Sequence, residues 1–260
     1  MRLGFLGTGT IARAMIDGII KAKLPIKKIT VSPRNEAIAH ALKAAYETVA
    51  VASDNQEVVD ASDIVFICLR SQIAPEIMQA MEWRREQIIV SFLAMANRND
   101  LEAWSGQTVY RAVPLPFVAN GEHPTPLYPP HPQLETIFNA LGGTILLDNE
   151  AQFSPFMAAG SLMGLYFRIL RCAQDWLVEQ GLSTALSGHF LAQMFLNLSH
   201  EMQKKKPASL IKPVDFLALE REFSTKGGTN EFIAEKFIEE GGGKAMRHAF
   251  DQALLKINGH

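Results

Sequence analysis

The clearest chemistry lies near the start of the chain. Gly7-Thr8-Gly9-Thr10-Ile11-Ala12 follows the spacing G-x-G-x-x-G/A, between the apolar run Leu3–Leu6 and a helical pattern. In a strand–turn–helix setting each small residue has a reason. Gly7 permits the tight turn, Gly9 lets backbone approach a pyrophosphate, and Ala12 lets the helix pack close on the strand. The helix N-terminus then offers unpaired N–H groups and a partial positive charge to the phosphates. The spacing predicts a nicotinamide dinucleotide site; a plain glycine turn is the alternative. The end of the second β-rich run bears on which dinucleotide. An Asp or Glu there would hold the ribose 2′-hydroxyl and repel a 2′-phosphate. The chain instead has Ser32-Pro33-Arg34-Asn35, with no carboxylate until Glu36. Ser32 and Asn35 can hydrogen-bond, and Arg34 can pair with a phosphate. NADPH is therefore expected over NADH.

A second constellation lies near the end. Gly227-Gly228-Thr229-Asn230 stands just before the apolar-periodic segment Phe232–Ile238. Small residues and capping-type side chains at a helix start suit a carboxylate ligand. On the residues alone, an N-cap and turn without a ligand reads first. The seven histidines offer no clear acid or base. His189 and His200 fall in helical patterns, and His123 and His131 in a proline-rich segment. Cys68 and Cys172 are far apart and lack neighbouring ligand types, so they read as buried reduced thiols. No metal site is expected.

These residues need elements to hold them. Apolar runs at Leu3–Leu6, Ile29–Ser32, Val49–Ala52, Ile64–Leu69, Ile88–Phe92 and Val109–Val113 predict strands. Helical patterns at Ile11–Lys23 and Glu36–Ala45 fall between them. That alternation predicts an α/β, doubly wound, mostly parallel sheet of Rossmann type. The segment 114–132 carries seven prolines and reads as a lid or a wrap over the sheet. Leu134–Leu141 and Thr144–Leu147 add a helix and a strand. After about Glu150 only helical spacing remains, at Phe156–Gln180, Thr184–Lys205, Phe232–Glu240 and Lys244–Ile257. The expected organisation is a nucleotide-binding domain over 1–150 and an all-helical domain over 151–260. Phe156–Ala173 is apolar on more than one face, which predicts burial on several sides and a homodimer through the helical domain.

The assembled motifs resemble the pyrroline-5-carboxylate reductase family nearly end to end. The resemblance includes the opening turn, Asp54-Asn55-Gln56-Glu57, Cys68-Leu69-Arg70-Ser71-Gln72, Ser91–Ala96 and Arg111-Ala112-Val113-Pro114. Its most specific part is Ser224-Thr225-Lys226-Gly227-Gly228-Thr229-Asn230, followed by Glu239-Glu240-Gly241-Gly242. The resemblance implies reduction of a cyclic imine to proline with NAD(P)H, a Rossmann domain, and a helical dimerisation domain whose dimers can assemble further. It implies that Asn55 and Leu69, Arg70, Ser71 and Gln72 contact the adenosine and ribose portions, with Ala94 near the nicotinamide. Thr225, Gly227, Gly228, Thr229 and Asn230 would hold the substrate, with Thr229 and Asn230 at the reacting group.

The chain departs from the family mainly around the substrate. Leu115-Pro116-Phe117 follows Pro114 where the family has Asn-Thr-Pro, and Leu162 falls in its Ser-Gly-Ser-Gly-Pro stretch. Asn230 replaces the second threonine of Gly-Gly-Thr-Thr, and Lys226 replaces a proline. Lys226 reads as a cation that favours acidic substrates or as a solvent-facing turn lysine. The alternatives are another two-domain NAD(P)-dependent dehydrogenase, or a non-catalytic NADP-binding or sensing protein. Composition sets outer bounds. With 25 basic and 27 acidic residues the net charge is −2, which suggests neither a nucleic-acid nor a membrane-surface partner. Lys204-Lys205-Lys206 reads as a solvated helix end. No signal peptide and no uninterrupted apolar run of about 20 residues is seen, so a cytoplasmic protein is expected.

Overall fold

The computed structural model describes residues 1–207, 210 and 212–259. The chain divides into two compact units, Met1–Met157 with the residues from Lys256 on, and Ala158–Leu255.

The first unit is built on a single eight-stranded sheet. Its elements are β1 (Arg2–Leu6), α1 (Thr10–Lys21), β2 (Lys28–Val31), α2 (Glu36–Ala45), β3 (Val49–Val51), α3 (Asn55–Asp60), β4 (Ile64–Ile67), α4 (Ala74–Gln79), β5 (Ile88–Ser91), α5 (Arg98–Ser105), β6 (Val109–Ala112), β7 (Thr125–Tyr128), α6 (Pro132–Ala140) and β8 (Thr144–Leu146). The strand order is β3-β2-β1-β4-β5-β6-β7-β8. Strands β1 to β6 are mutually parallel; β7 pairs antiparallel with β6 and parallel with β8. Winding reverses between β1 and β4, which opens a crevice at the carboxyl ends of those strands.

The continuous apolar character of the central strands has a physical cause, because helices cover both faces. All four residues of β4 are buried. On one face α1, α2 and α6 pack with Phe5, Phe66 and Phe138; on the other, α3, α4 and α5 pack with Val65, Ile67 and Leu101. Phe5 stacks on Phe66 at 4.9 Å, and Phe92 lies 5.4 Å from Phe66.

The proline-rich segment is not a lid. A 3-10 turn, Pro116–Asn120, buries Val118 against α1, where a Cβ on Gly18 would come within 2.4 Å of the Val118 carbonyl oxygen. The remainder supplies β7. Pro126 sits inside that strand, and its carbonyl still accepts the Val113 N–H at 3.2 Å. Proline removes one donor and leaves the acceptor, so the strand survives where its composition argued against it.

The rest of the chain is helical: α7 (Phe153–Gly160), α8 (Leu162–Glu179), α9 (Thr184–Lys205), α10 (Phe216–Phe223), α11 (Thr229–Glu239) and α12 (Gly242–Ile257). The single helix expected over 156–180 is thus α7 and α8, divided at Ser161. Helix α10 has no counterpart in the sequence expectation. Ser183 caps α9 by accepting the Leu186 N–H, and Asp215 caps α10 by accepting that of Ala218. In the second unit α8 packs on α9, with Tyr166 edge-on to Phe195 at 5.7 Å. Cys172 is exposed, not buried as expected. By length and composition only, the helical run Glu150–Glu179 is apolar enough to cross a membrane, although no uninterrupted apolar run marks it. The same composition suits a helix covered by another subunit.

Candidate functional site

The turn after β1 is fastened from below. Gly7 has φ +95°, and a Cβ there would lie 2.5 Å from the Cys68 carbonyl oxygen. Glycine is required by both conformation and space. Ser32 ends the second apolar run and is buried. Its hydroxyl accepts the Gly7 N–H at 2.9 Å, and its carbonyl accepts the Thr8 hydroxyl at 2.7 Å. Ser32 and Thr8 therefore lock the end of β2 to the turn. Gly9, the N-cap of α1, has extended backbone, and a Cβ there would meet nothing within 4 Å.

That open space belongs to a cavity of about 630 Å³. Gly7, Thr8 and Gly9 form its floor; Arg34, Asn35 and Glu36 stand on one side, and Cys68, Leu69, Arg70 and Ile73 on the other. The volume falls in the range of small-molecule and cofactor sites. The side chains of Arg34 and Arg70 form no ion pair or hydrogen bond among the described residues. Two unpartnered guanidinium groups beside a helix N-terminus are what a polyphosphate ligand needs. Glu36 also faces the cavity, as the first residue of α2. Burial pushes the Cys68 thiol up, which keeps this wall residue protonated and non-nucleophilic.

The other expected cofactor residues lie around this cavity or elsewhere in the first unit. Thr10 and Ile11 open α1, and Ala12 is fully buried under it. Asn55 is the first residue of α3, behind an Asp54 cap that accepts the Glu57 N–H at 2.8 Å. Glu57 reaches back to the Ser53 N–H and hydroxyl, and these hydrogen bonds hold its carboxyl below the usual range. Ser71 and Gln72 follow Arg70 in the turn before α4. Ala94 lines a different cavity of the same unit, about 370 Å³, with Met95, Asn97 and Arg111.

In the second unit, residues 225–230 form a tight turn into α11, which starts at Thr229, three residues before the apolar periodicity begins. Gly227 has φ +74°, and the Gly228 N–H donates to the Thr225 carbonyl at 2.8 Å. The Gly227 N–H donates to Glu231 Oε2 at 2.6 Å. The Asn230 amide nitrogen donates to the Phe223 carbonyl at 2.7 Å, which leaves its Oδ1 as an acceptor. The first-turn N–H groups of α11 have no intrahelical partner. Thr225, Lys226 and Thr229 are exposed.

Both histidines of the proline-rich segment lie against aromatic rings, His123 beside Phe117 at 6.0 Å. His131 is the N-cap of α6, and its ring meets Tyr110 at 4.9 Å. Sequence reasoning singled out Arg111 only as part of a motif. A lone charge inside the apolar run of β6 was the available signal. Glu150, its partner at 2.6 Å, carried none.

Comparison with known proteins places these features in context. A family model described as NADP oxidoreductase coenzyme F420-dependent matches residues 2–95. The pyrroline-5-carboxylate reductase of Pseudomonas aeruginosa is 26% identical over 263 residues, spanning 97% of this chain and 94% of that protein. Among solved structures, a pyrroline-5-carboxylate reductase from Coxiella burnetii has a TM-score of 0.81 at 19% identity, covering 98% of this chain and 96% of that one. A Plasmodium falciparum pyrroline carboxylate reductase with NADP bound has a TM-score of 0.77 at 20% identity, covering 100% and 97%. The fold is shared throughout.

Proposed function

We propose that this chain, which belongs to the pyrroline-5-carboxylate reductase family, reduces a cyclic imino acid with NADPH, its substrate being pyrroline-5-carboxylate and its product L-proline. One observation carries the reading: the likeness to enzymes named for this reaction runs through both units, not only through the nucleotide-binding one. Gly7, Thr8 and Gly9 would hold the pyrophosphate, and Arg34, Asn35 and Arg70 the phosphorylated adenosine end. The bound cofactor supplies the hydride.

The protein's own tasks are then few. It must orient the imine carbon toward the hydride donor and exclude water. A protonated imine is already a good acceptor, so no strong general acid is required of the chain. Thr225, Gly227, Gly228 and Thr229 offer the carboxylate a helix start with its unpaired N–H groups. Asn230 Oδ1 is free to accept the iminium N–H, because the amide nitrogen is tied to Phe223. The reading also implies a cytoplasmic enzyme and a homodimer formed through the helical unit, with large apolar side chains such as Phe167 and Phe190 exposed in the single chain.

Two experiments test it. Purified protein is mixed with NADPH and a panel of cyclic imines, and cofactor oxidation is followed. Turnover is expected with pyrroline-5-carboxylate; NADPH binding with no turnover on any imine would leave a binding or sensing protein instead. Arg34→Ala should weaken NADPH about tenfold and leave NADH unchanged, the size of one lost charge-assisted contact. An equal loss for both dinucleotides would remove the 2′-phosphate preference.

A further inference from the structure

We infer that Arg111 is a positioning residue for the nicotinamide half of the bound cofactor, acting through the loop that leaves β5. The inference rests on the cofactor reading above. With the pyrophosphate at Gly9 over β1 and the adenosine end toward Arg34 beside β2, the other half must extend the opposite way. That direction crosses the carboxyl ends of β4 and β5, since β4 and then β5 follow β1 in the sheet. Neighbouring strands are about 4.8 Å apart, so the end of β5 lies about 10 Å from the glycine turn, within reach of half a dinucleotide. The loop Leu93–Arg98 starts there.

Both ends of that loop are held by one ion pair, whose arginine is buried and whose glutamate is partly exposed. Arg111 lies beside Ser91 in the β5–β6 register, and its side chain is only 7% exposed. Nη2 donates to the Leu93 carbonyl at 3.3 Å, and Nη1 donates to Glu150 Oε1 at 2.6 Å. The same Glu150 oxygen accepts the backbone N–H of Arg98 at 2.6 Å. The guanidinium also lies over Phe153, 4.8 Å from the ring centroid, which fixes its plane. Leu93 is therefore fastened directly and Arg98 through Glu150. Between them Ala94 and Met95 face outward, Met95 being 56% exposed. Such a loop has pinned ends and a presenting centre. A planar fork is needed for the arrangement, because one ammonium group cannot serve Glu150 and the Leu93 carbonyl with the same geometry.

Equilibrium binding to the whole chain tests this without requiring turnover. The probes are NADPH and 2′,5′-ADP, which carries the adenosine-end phosphates and no nicotinamide. Arg111→Lys keeps the charge opposite Glu150 and frees Leu93. It should weaken NADPH about tenfold, as expected for a small misplacement of a contact loop, while 2′,5′-ADP affinity stays within about twofold and thereby reports an intact fold. Equal weakening of both probes, or of neither, overturns the inference. Should Arg111→Lys fail to fold, Glu150→Gln is read by the same criterion, the expected result being a smaller loss confined to NADPH. Wild-type protein that binds neither probe overturns the cofactor reading itself, and the inference falls with it.

Discussion

Gly7 and Gly9 stand two positions apart and call for glycine for opposite reasons. At Gly7 the backbone is left-handed and a Cβ would strike the Cys68 carbonyl, so Gly7→Ala strains the folded protein by about 1–3 kcal/mol or more. At Gly9 the backbone suits any residue and a Cβ meets nothing. The space it would enter is the cavity proposed for the cofactor. Gly9→Ala should therefore melt like the wild type and lose the stabilisation that NADPH confers, whereas Gly7→Ala should melt lower with or without NADPH. Thermal melts of both variants, with and without cofactor, check this; normal NADPH stabilisation of Gly9→Ala would move the phosphates away from this turn. Glu231 makes a second case. Its carboxylate occupies the Gly227 N–H, at the place proposed for the substrate's own carboxylate. Glu231→Gln keeps an acceptor for that N–H and removes the like charge. The Michaelis constant for pyrroline-5-carboxylate should then fall severalfold, up to about tenfold for one nearby charge, with that for 1-pyrroline, which lacks the carboxylate, unchanged. Parallel changes for both substrates would place the carboxylate elsewhere.

Helix α6 starts from His131, whose Nδ1 is buried without a hydrogen-bond partner and whose ring packs on Tyr110. Burial lowers the His131 pKa from its ordinary value, opposed by Glu135. The folded state therefore resists a proton that the unfolded chain accepts near pH 6.5. Stability should fall as pH drops through that value, by at most about 1.4 kcal/mol per pH unit for one proton. His131→Gln should flatten the slope between pH 7.5 and 5.5 in denaturant melts; an unchanged slope would assign it to other groups. The same part of the chain shows what the sequence left hidden. The central strands were legible because burial on both faces demands unbroken apolar runs such as Ile64–Ile67. Strand β7 was not, because Pro124, Pro126, Pro129 and Pro130 mask a strand that needs its acceptors more than its donors. The glycine turn and Arg34 were legible because short-range spacing and chain position bring them to one cavity; Arg70, on the same cavity, was expected only through the family resemblance. Ser32 was placed correctly along the chain, but its hydroxyl turns inward to the turn itself. The Arg111–Glu150 pair joins positions 39 apart in sequence, and no local pattern signals such a partner.

The helical unit exposes apolar surface in an ordered way. On α9 the residues Leu186, Phe190, Met194, Leu198 and Met202 are all exposed in the single chain. They recur every four residues, while Ser187 and Leu191 turn inward. That spacing makes a ridge that winds around the helix by about 40° per step and covers about 24 Å of its length at 1.5 Å per residue. Exposed pairs at the same spacing recur at Met163 and Phe167 on α8, and at Ile233 and Phe237 on α11. Scattered surface leucines need no explanation, but contiguous stripes on several helices do. A second copy of the chain would supply a matching set, and ridges at this spacing pack naturally against one another. An interface of standard size needs about 800 Å² from each partner, which a few such side chains with their surroundings can provide. Sedimentation at micromolar concentration should give a mass of twice the 28.7 kDa chain. Phe190→Asp with Met194→Asp should yield a monomer, since a charge in a buried apolar seam is costly and its repeat on the partner doubles the effect. The first unit keeps its own core, so the monomeric variant should still bind NADPH. A wild-type monomer at these concentrations would leave the stripes unexplained and sink the dimer.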